Sequence, residues 1–133
     1  MKYQLNLQVQ RVNHLSNGLI HMELVPANGE KLPPMQPGQF VEVAVDKAKV
    51  LLNRPFSIYN ATDSVLELLI KPLGRGSEAM GLYEAGDSMR VIAPLGRGFD
   101  LPEQPCKVLL VGGGVGVAPM LYVARALNEK GLR

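Results

Sequence analysis

Apolar and polar side chains alternate strictly through Leu5-Asn6-Leu7-Gln8-Val9-Gln10, near the start of the chain. A period of two places alternate side chains on opposite faces of an extended strand, so this segment predicts a β-strand with one buried face. Five later segments are also strand candidates, at residues 19–25, 39–45, 54–59, 65–70 and 89–93. Six strands at spacings of about ten residues favour a closed barrel or a β-sandwich.

Composition narrows the class of protein. The chain has 133 residues, 47% apolar and 20% charged, which suits one folded domain plus at most part of another. Glycine (14) and proline (10) exceed their average share, as is typical of a turn-rich β protein. A net charge of +2 does not favour nucleic acid or an acidic membrane as the main partner. The single cysteine, Cys106, excludes an internal disulfide and an all-cysteine metal or iron–sulfur site within one chain.

No targeting or membrane segment is predicted. The first ten residues alternate in polarity, unlike a signal peptide, so the expected compartment is the cytoplasm. Residues 108–124 carry no charge, but they include four glycines and a proline and lie at the lower limit of length for a membrane span. A buried strand, a glycine turn and a helix explain this stretch better.

The pattern changes after a loop at residues 94–105. Residues 107–111 form a continuous β-branched and leucine-rich run, as expected of a parallel strand buried on both faces. A helix follows, with Gly131 as its C-cap and with apolar residues at Ala118, Leu121, Val123, Ala124 and Leu127. We therefore expect a barrel domain at residues 1–103 and, at residues 104–133, the first β-α unit of a truncated second domain. The uncovered strand edge of that unit would favour self-association.

Arg54-Pro55-Phe56-Ser57 is the first of three motifs suited to binding a ligand. On an extended strand Arg54 and Phe56 project to the same side, while Pro55 fixes the backbone and removes a ladder donor. An arginine fork beside an aromatic ring suits a ligand that combines a phosphate with a flat ring, and Ser57 can hydrogen-bond a ring heteroatom. The alternative is an ordinary edge strand with a surface arginine and a core phenylalanine.

The second motif is Gly74-Arg75-Gly76-Ser77, followed by helix-forming residues. Two glycines let the backbone approach a ligand closely, and a helix start offers free N–H groups to a phosphate. The alternative is an ordinary glycine turn in which Ser77 is the N-cap of a helix at residues 78–83.

The third motif is the segment Gly112-Gly113-Gly114-Val115-Gly116-Val117-Ala118-Pro119, between the predicted strand and helix. This context is what a dinucleotide-phosphate loop requires, although the spacing is not the plain Rossmann fingerprint. Four glycines in five positions exceed what a turn needs, and a purely structural turn is the alternative.

In combination these motifs resemble the ferredoxin–NADP reductase superfamily, and within it the electron-transfer subunits of NAD-linked bacterial dihydroorotate dehydrogenases. The resemblance covers essentially the whole chain, including Pro37-Gly38-Gln39-Phe40 and Pro94-Leu95-Gly96-Arg97-Gly98-Phe99. It implies a six-stranded antiparallel FAD-binding barrel followed by the start of a Rossmann-like NAD-binding domain. Members of the family continue through a complete nicotinamide domain and a cysteine-rich segment that ligates a [2Fe–2S] cluster.

The resemblance also implies roles residue by residue. Arg54 matches the arginine that binds the FAD phosphate, Phe56 the position against the flavin ring, and Ser57 the hydroxyl near flavin N5. The other FAD-binding positions are Pro55 in the same motif, Ile70 and Lys71 beside the flavin and ribityl chain, and Gly76 and Ser77 at the pyrophosphate. An incomplete NAD site comprises Gly112, Gly113, Gly114 and Gly116. No catalytic acid or base and no metal ligand is assigned.

The function implied by the resemblance is electron transfer in pyrimidine biosynthesis. Electrons would pass from dihydroorotate through the FMN of the catalytic subunit and an iron–sulfur cluster to FAD and then to NAD. The implied partner is that FMN-containing dihydroorotate dehydrogenase catalytic subunit. Two alternatives stay open: a subunit of another NAD(P)H–ferredoxin or sulfide-linked flavin reductase, and a barrel that has lost its cofactor and serves as an interaction domain.

The remaining reactive side chains are interpreted as structural. His14 and His21 lie in or beside predicted strands and show no recognisable metal-ligand spacing, which disfavours metal binding. Cys106 is interpreted as an inert connector residue, because nothing nearby in sequence activates its thiol.

Overall fold

Six antiparallel strands form the body of the protein in the computed structural model, which describes residues 2–48, 52–104, 106–113 and 118–130. Their bounds are β1 (Tyr3–His14), β2 (Ile20–Pro26), β3 (Phe40–Ala44), β4 (Arg54–Ala61), β5 (Leu66–Ile70) and β6 (Ser88–Leu95). Hydrogen bonds close them into a barrel in the order β1-β2-β5-β4-β3-β6. The six predicted strands are therefore confirmed, and the barrel rather than the sandwich is the correct architecture.

The barrel interior is packed with apolar side chains. Leu7 and Val9 of β1 are each 1% exposed, whereas Asn6 and Gln8 face solvent, as their alternation predicts. The other strands supply fully buried residues that include Met22, Leu24, Val41, Val43, Ile58, Leu66, Leu68, Ile70, Met89 and Val91. Burying one such side chain contributes about 1.5–3 kcal/mol to stability. Because these side chains fill the interior, a ligand has to bind on the outer wall or at one end of the barrel.

The loop before β3 and the loop after β6 pack closely against each other. The Phe99 N–H donates to the Pro37 carbonyl at 2.7 Å, and a Cβ on Gly38 would lie 2.8 Å from the Phe99 nitrogen. On the other side, a Cβ on Gly96 would lie 2.8 Å from the Phe40 ring. Both glycines have a positive φ, 95° at Gly38 and 78° at Gly96, so a side chain at either position is disfavoured by conformation as well as by space.

A short helix, α1 (Arg75–Ala79), and a 3₁₀ turn at Met80–Leu82 connect β5 to β6. The N-cap of α1 is Gly74, and Ser77 lies three residues later, so the prediction of Ser77 as N-cap is wrong. The Ser77 Oγ accepts hydrogen bonds from the N–H groups of Leu73 (2.9 Å) and Gly74 (3.1 Å). A serine in the first turn can reach back to the chain before the helix, so its presence alone does not say which position it takes.

The second helix, α2 (Met120–Glu129), packs against the outside of the barrel. Its residues Val123 and Leu127 are buried, and the Tyr122 hydroxyl donates to the Met35 carbonyl at 2.7 Å. The helix is confirmed, while its predicted cap at Gly131 lies outside the described residues. No helix in the described ranges has the length and apolar content to cross a membrane.

The predicted strand at residues 107–111 is wrong for this structure. Residues 106–113 have no regular secondary structure, and the side chains of Leu109 and Val111 are 86% and 78% exposed. A strand is held by hydrogen bonds to a neighbouring strand, and none of the six described strands pairs with this segment. The apolar composition of the segment suits a buried strand, but a strand also needs a neighbouring strand to pair with.

Candidate functional site

A groove of about 290 Å³ on the outside of the barrel brings together residues from the first two sequence motifs. It is lined by Arg54, Pro55, Phe56 and Ser57 of β4, by Leu69, Ile70 and Lys71 at the end of β5, and by Leu73, Ser77 and Ala118. Seven of these ten residues were predicted FAD-binding positions. The structure thus places one candidate site where the sequence shows two motifs about twenty residues apart.

Strand pairing explains why these residues meet. β4 and β5 are antiparallel neighbours, with Ile58 opposite Leu68, so the start of β4 and the end of β5 lie at the same end of the barrel. Arg54 is the first residue of β4 and Ile70 the last of β5. The chain then turns through the residues before α1 and brings Gly76 back against the start of β4.

The Arg54 side chain lies across Gly76. A Cβ on Gly76 would be 2.5 Å from Arg54 Nε and 2.9 Å from Arg54 Cγ, so a larger residue there would displace the arginine. Arg54 is half-buried, and its Nη1 donates to the Leu52 carbonyl at 3.0 Å. These contacts hold a cation in the groove. The absence of a side chain at Gly76 leaves the space that the Arg54 side chain occupies.

Phe56 and Ser57 occupy different surfaces of β4. Phe56 is half-buried and packs against the barrel core while it lines the groove, so it combines the core role of the alternative interpretation with the ligand-facing role. Pro55 and Ser57 are exposed, which confirms the predicted alternation along the strand. The Ser57 hydroxyl lies in the groove wall and is accessible to a ligand.

The second motif contributes differently from the prediction. Ser77 lines the groove, but its Oγ is engaged by the backbone of its own turn, where it also donates to the Gly74 carbonyl at 3.3 Å. The N–H groups of Leu73 and Gly74 are therefore occupied, and they are not open to a phosphate in this arrangement. The cationic side chains Arg54 and Lys71 are the groups that can attract an anion here.

The charge of the groove is of one sign. Arg54 and Lys71 line it, and none of the ten lining residues, all within the described ranges, is acidic. Phe56, Leu69, Ile70, Leu73 and Ala118 supply apolar wall between these cations. A surface of this kind suits an anionic ligand that also carries a flat apolar part.

The described glycines of the third motif are not brought into a site. Gly112 and Gly113 are exposed and lie in the segment without regular structure, and a Cβ on Gly113 would meet nothing within 4 Å. Gly114 and Gly116 lie outside the described residues. The NAD-binding role of these four glycines stays a prediction.

Sequence reasoning missed several groove residues. Leu69 and Leu73 belong to no motif and reach the groove only through the fold, and Ala118 belongs to the third motif but was given no role in binding FAD. It also missed the surroundings of His21, whose Nε2 lies 2.9 Å from Glu67 Oε1 although the two residues are 46 positions apart. The only sequence signal was the alternation around His21, which places it on the outer face of β2 with Glu23.

Comparison with solved structures defines the class of protein. Phthalate dioxygenase reductase, described as a modular structure for electron transfer from pyridine nucleotides to [2Fe–2S], matches with a TM-score of 0.83 and 28% identity, over 98% of this chain and 41% of that one. With the closed barrel, this likeness confirms the predicted fold: the chain resembles the flavin-binding reductases of the ferredoxin–NADP reductase superfamily in architecture. No protein-family model matches the chain.

Within that superfamily, the sequence is similar to the electron transfer subunit of dihydroorotate dehydrogenase B (NAD(+)). The Clostridium acetobutylicum subunit is 39% identical over 95 residues, which is 71% of this chain and 39% of the relative. The Streptococcus mutans subunit is 35% identical over 131 residues, 96% of this chain and 50% of the relative. The chain thus spans about half or less of the length of these relatives.

Proposed function

We propose that this chain is an FAD-binding electron-transfer module and that FAD binds in the groove between β4, β5 and the start of α1. The observation that carries this proposal is the packing of Arg54 across Gly76 at one end of an acid-free groove with apolar walls. FAD combines a negatively charged pyrophosphate with a flat ring system, so it matches both the cations and the apolar wall. The similarity to named electron transfer subunits supports the same proposal.

Five of the groove residues have a defined role in this proposal. Arg54 binds a phosphate oxygen through its guanidinium, and its contact with Gly76 fixes where that charge lies. The half-buried Phe56 covers part of the flat ring, with the buried Ile70 behind the groove wall, and the accessible Ser57 hydroxyl offers a hydrogen bond to the polar edge of the ring. Lys71 adds a second positive charge near the connecting chain.

Bound FAD would supply the redox chemistry, because a flavin exchanges a hydride with nicotinamide and single electrons with metal clusters. The chain's own residues would bind and orient the flavin and hydrogen-bond its ring edge, with no side-chain acid or base required. We infer that this chain takes part in transferring electrons from dihydroorotate oxidation to NAD, with a [2Fe–2S] cluster and an FMN-containing dihydroorotate dehydrogenase catalytic subunit as partners. The similarity in sequence supports this inference.

Arg54→Ala tests the proposed site. A hydrogen bond to a charged group contributes about 1.5–3 kcal/mol, so the variant should bind FAD about ten to a hundred times more weakly. Affinity is measured by titrating FAD and following its fluorescence, and retention by the visible spectrum after desalting. Arg90→Ala is the matched control, because Arg90 is an exposed arginine on β6 that pairs with Asp46. Unchanged affinity in Arg54→Ala would refute its role, and a wild-type chain that binds no added FAD would refute the flavin proposal itself.

A further inference from the structure

Three ligand-bearing side chains meet on the outer wall of the barrel, away from the groove. They are His21 and Glu23 of β2 and Glu67 of β5, and one potential ligand atom from each lies within 4.8 Å of the others. His21 and Glu23 are two residues apart and so share a face of β2, while Glu67 is directly opposite Glu23 in the strand register. Their side chains are 18%, 22% and 19% exposed, so the cluster is half-buried.

The two carboxylates of this cluster would be stabilised by a bound cation. Two carboxylates directly opposite each other on neighbouring strands repel, and partial burial weakens the screening by water. The cation on Glu23 is Arg11, whose Nε lies 3.6 Å from Glu23 Oε2 and whose side chain is 65% exposed. On the other carboxylate the nearby group is His21, which carries a charge only when it is protonated. A divalent cation between the carboxylates would neutralise both.

The surrounding residues orient the ligand atoms. Asn60 is 3% exposed, and its Nδ2 donates to Glu67 Oε2 at 2.7 Å, which directs the other oxygen of Glu67 toward His21. The Asn13 Nδ2 lies 3.1 Å from His21 Nδ1, which accepts from it, and His21 Nε2 faces Glu67 Oε1 at 2.9 Å. Metal-binding histidines and carboxylates are held by a second layer of polar groups in this way, with one ring nitrogen bonded outward and the other directed at the metal.

We propose that His21, Glu23 and Glu67 form a binding site for a divalent transition-metal ion of the Zn²⁺ class. Zn²⁺ accepts a histidine nitrogen and carboxylate oxygens at about 2.0–2.2 Å, and three protein ligands leave a position for water. Ligand atoms around such an ion lie roughly 3.4 Å apart, so the three atoms, which lie within 4.8 Å of one another, surround it after side-chain adjustments of about 1 Å. Binding the metal through His21 Nε2 requires the ring proton to lie on Nδ1. The Asn13 side chain then turns so that its amide oxygen accepts a hydrogen bond from Nδ1–H. The ion would link β2 to β5 across the barrel wall.

The test is a titration of the tag-free chain with ZnCl₂ by calorimetry at neutral pH. All measurements use a Cys106→Ser background, because the exposed thiol of Cys106 can itself bind Zn²⁺. We expect one ion per chain and an affinity at least about tenfold weaker in both His21→Ala and Glu67→Gln. His14→Ala is the matched control and should bind normally, because His14 is an exposed histidine of β1 that is not part of the cluster.

Two results would overturn the proposal. One is no saturable binding by the parent chain up to about 1 mM Zn²⁺, and the other is equal affinity in His21→Ala and the parent. Circular dichroism checks that each variant is folded, and Glu23→Gln, at the least enclosed ligand, serves if His21→Ala does not fold. The site shares no lining residue with the groove, so FAD titrations of the same variants distinguish failure of the metal site from failure of the flavin site.

Discussion

Two short leucine-rich runs of this chain differ in secondary structure and in burial. Leu66–Ile70 is β5, and its Leu68 and Ile70 are completely buried, whereas Leu109 and Val111 of the run at residues 108–111 are 86% and 78% exposed. Their apolar content is similar, so composition does not explain the difference. β5 pairs with β2 on one side and β4 on the other, and the second run pairs with none of the described strands. A run of apolar residues becomes a strand only where neighbours satisfy its backbone hydrogen bonds.

The largest expected effect is on stability, and it tests the difference in burial between the two runs. Leu68→Ala removes a fully buried side chain from the barrel core and should lower the free energy of unfolding by about 2–5 kcal/mol. Leu109→Ala changes a side chain that is 86% exposed and should stay within about 0.5 kcal/mol of the parent. Urea unfolding followed by circular dichroism measures both. Equal destabilisation by the two substitutions would mean that residues 108–111 are buried in the folded protein in solution.

A second pair of substitutions compares two glycines. Gly76→Ala forces the Arg54 side chain away and, if the proposed flavin site is correct, should weaken FAD binding roughly tenfold, equal to about 1.4 kcal/mol. Stability should not fall in parallel, because alanine favours a helix over glycine by up to about 1 kcal/mol. FAD titration and thermal unfolding separate the two effects.

Gly113→Ala is the control for this pair, since a Cβ there meets nothing within 4 Å. It should leave FAD affinity unchanged. If Gly76→Ala binds FAD as tightly as the parent, the contact between Gly76 and Arg54 does not position the phosphate-binding charge.

The smallest effect compares two ion pairs of equal length. Lys47 Nζ and Asp87 Oδ2 are 2.8 Å apart at the barrel, and Arg97 and Asp100 pair at the same distance in the loop after β6, where both are more than 80% exposed. The hydrogen bond from Lys47, followed by that from the Glu84 N–H, lowers the pKa of Asp87 below its ordinary 3.8. A lowered pKa in the folded state stabilises the protein above the unfolded value, and this contribution is lost as the pH falls through the folded value.

Asp87→Asn should therefore reduce stability slightly near neutral pH, and its difference from the parent should start to shrink below about pH 4 and vanish as the pH falls through the folded-state pKa of Asp87. Asp100→Asn should change nothing at either pH, because its partner is solvated. Thermal unfolding across this pH range measures both. A difference between Asp87→Asn and the parent that persists unchanged in acid would contradict the role of the Asp87 charge.

Much of the fold was predictable because its signals are local. The alternation in β1 is a property of consecutive residues, and it correctly assigned Leu7 and Val9 to the interior. The prediction for Ser77 was wrong by three positions in its helix because a serine hydroxyl serves a helix start from more than one place. The strand at residues 107–111 was wrong because pairing is a long-range property.

The sequence by itself determined which six segments form the barrel strands, since their patterns depend on neighbours along the chain, and it predicted the ligand-binding residues from their chemistry. Only the tertiary structure decided that β5 would lie between β2 and β4, that Arg54 would pack on Gly76 and that His21 would meet Glu67. The physical reason is the same in each case. Contacts between residues twenty to fifty positions apart arise from the closure of the barrel, and no local pattern encodes which strands become neighbours.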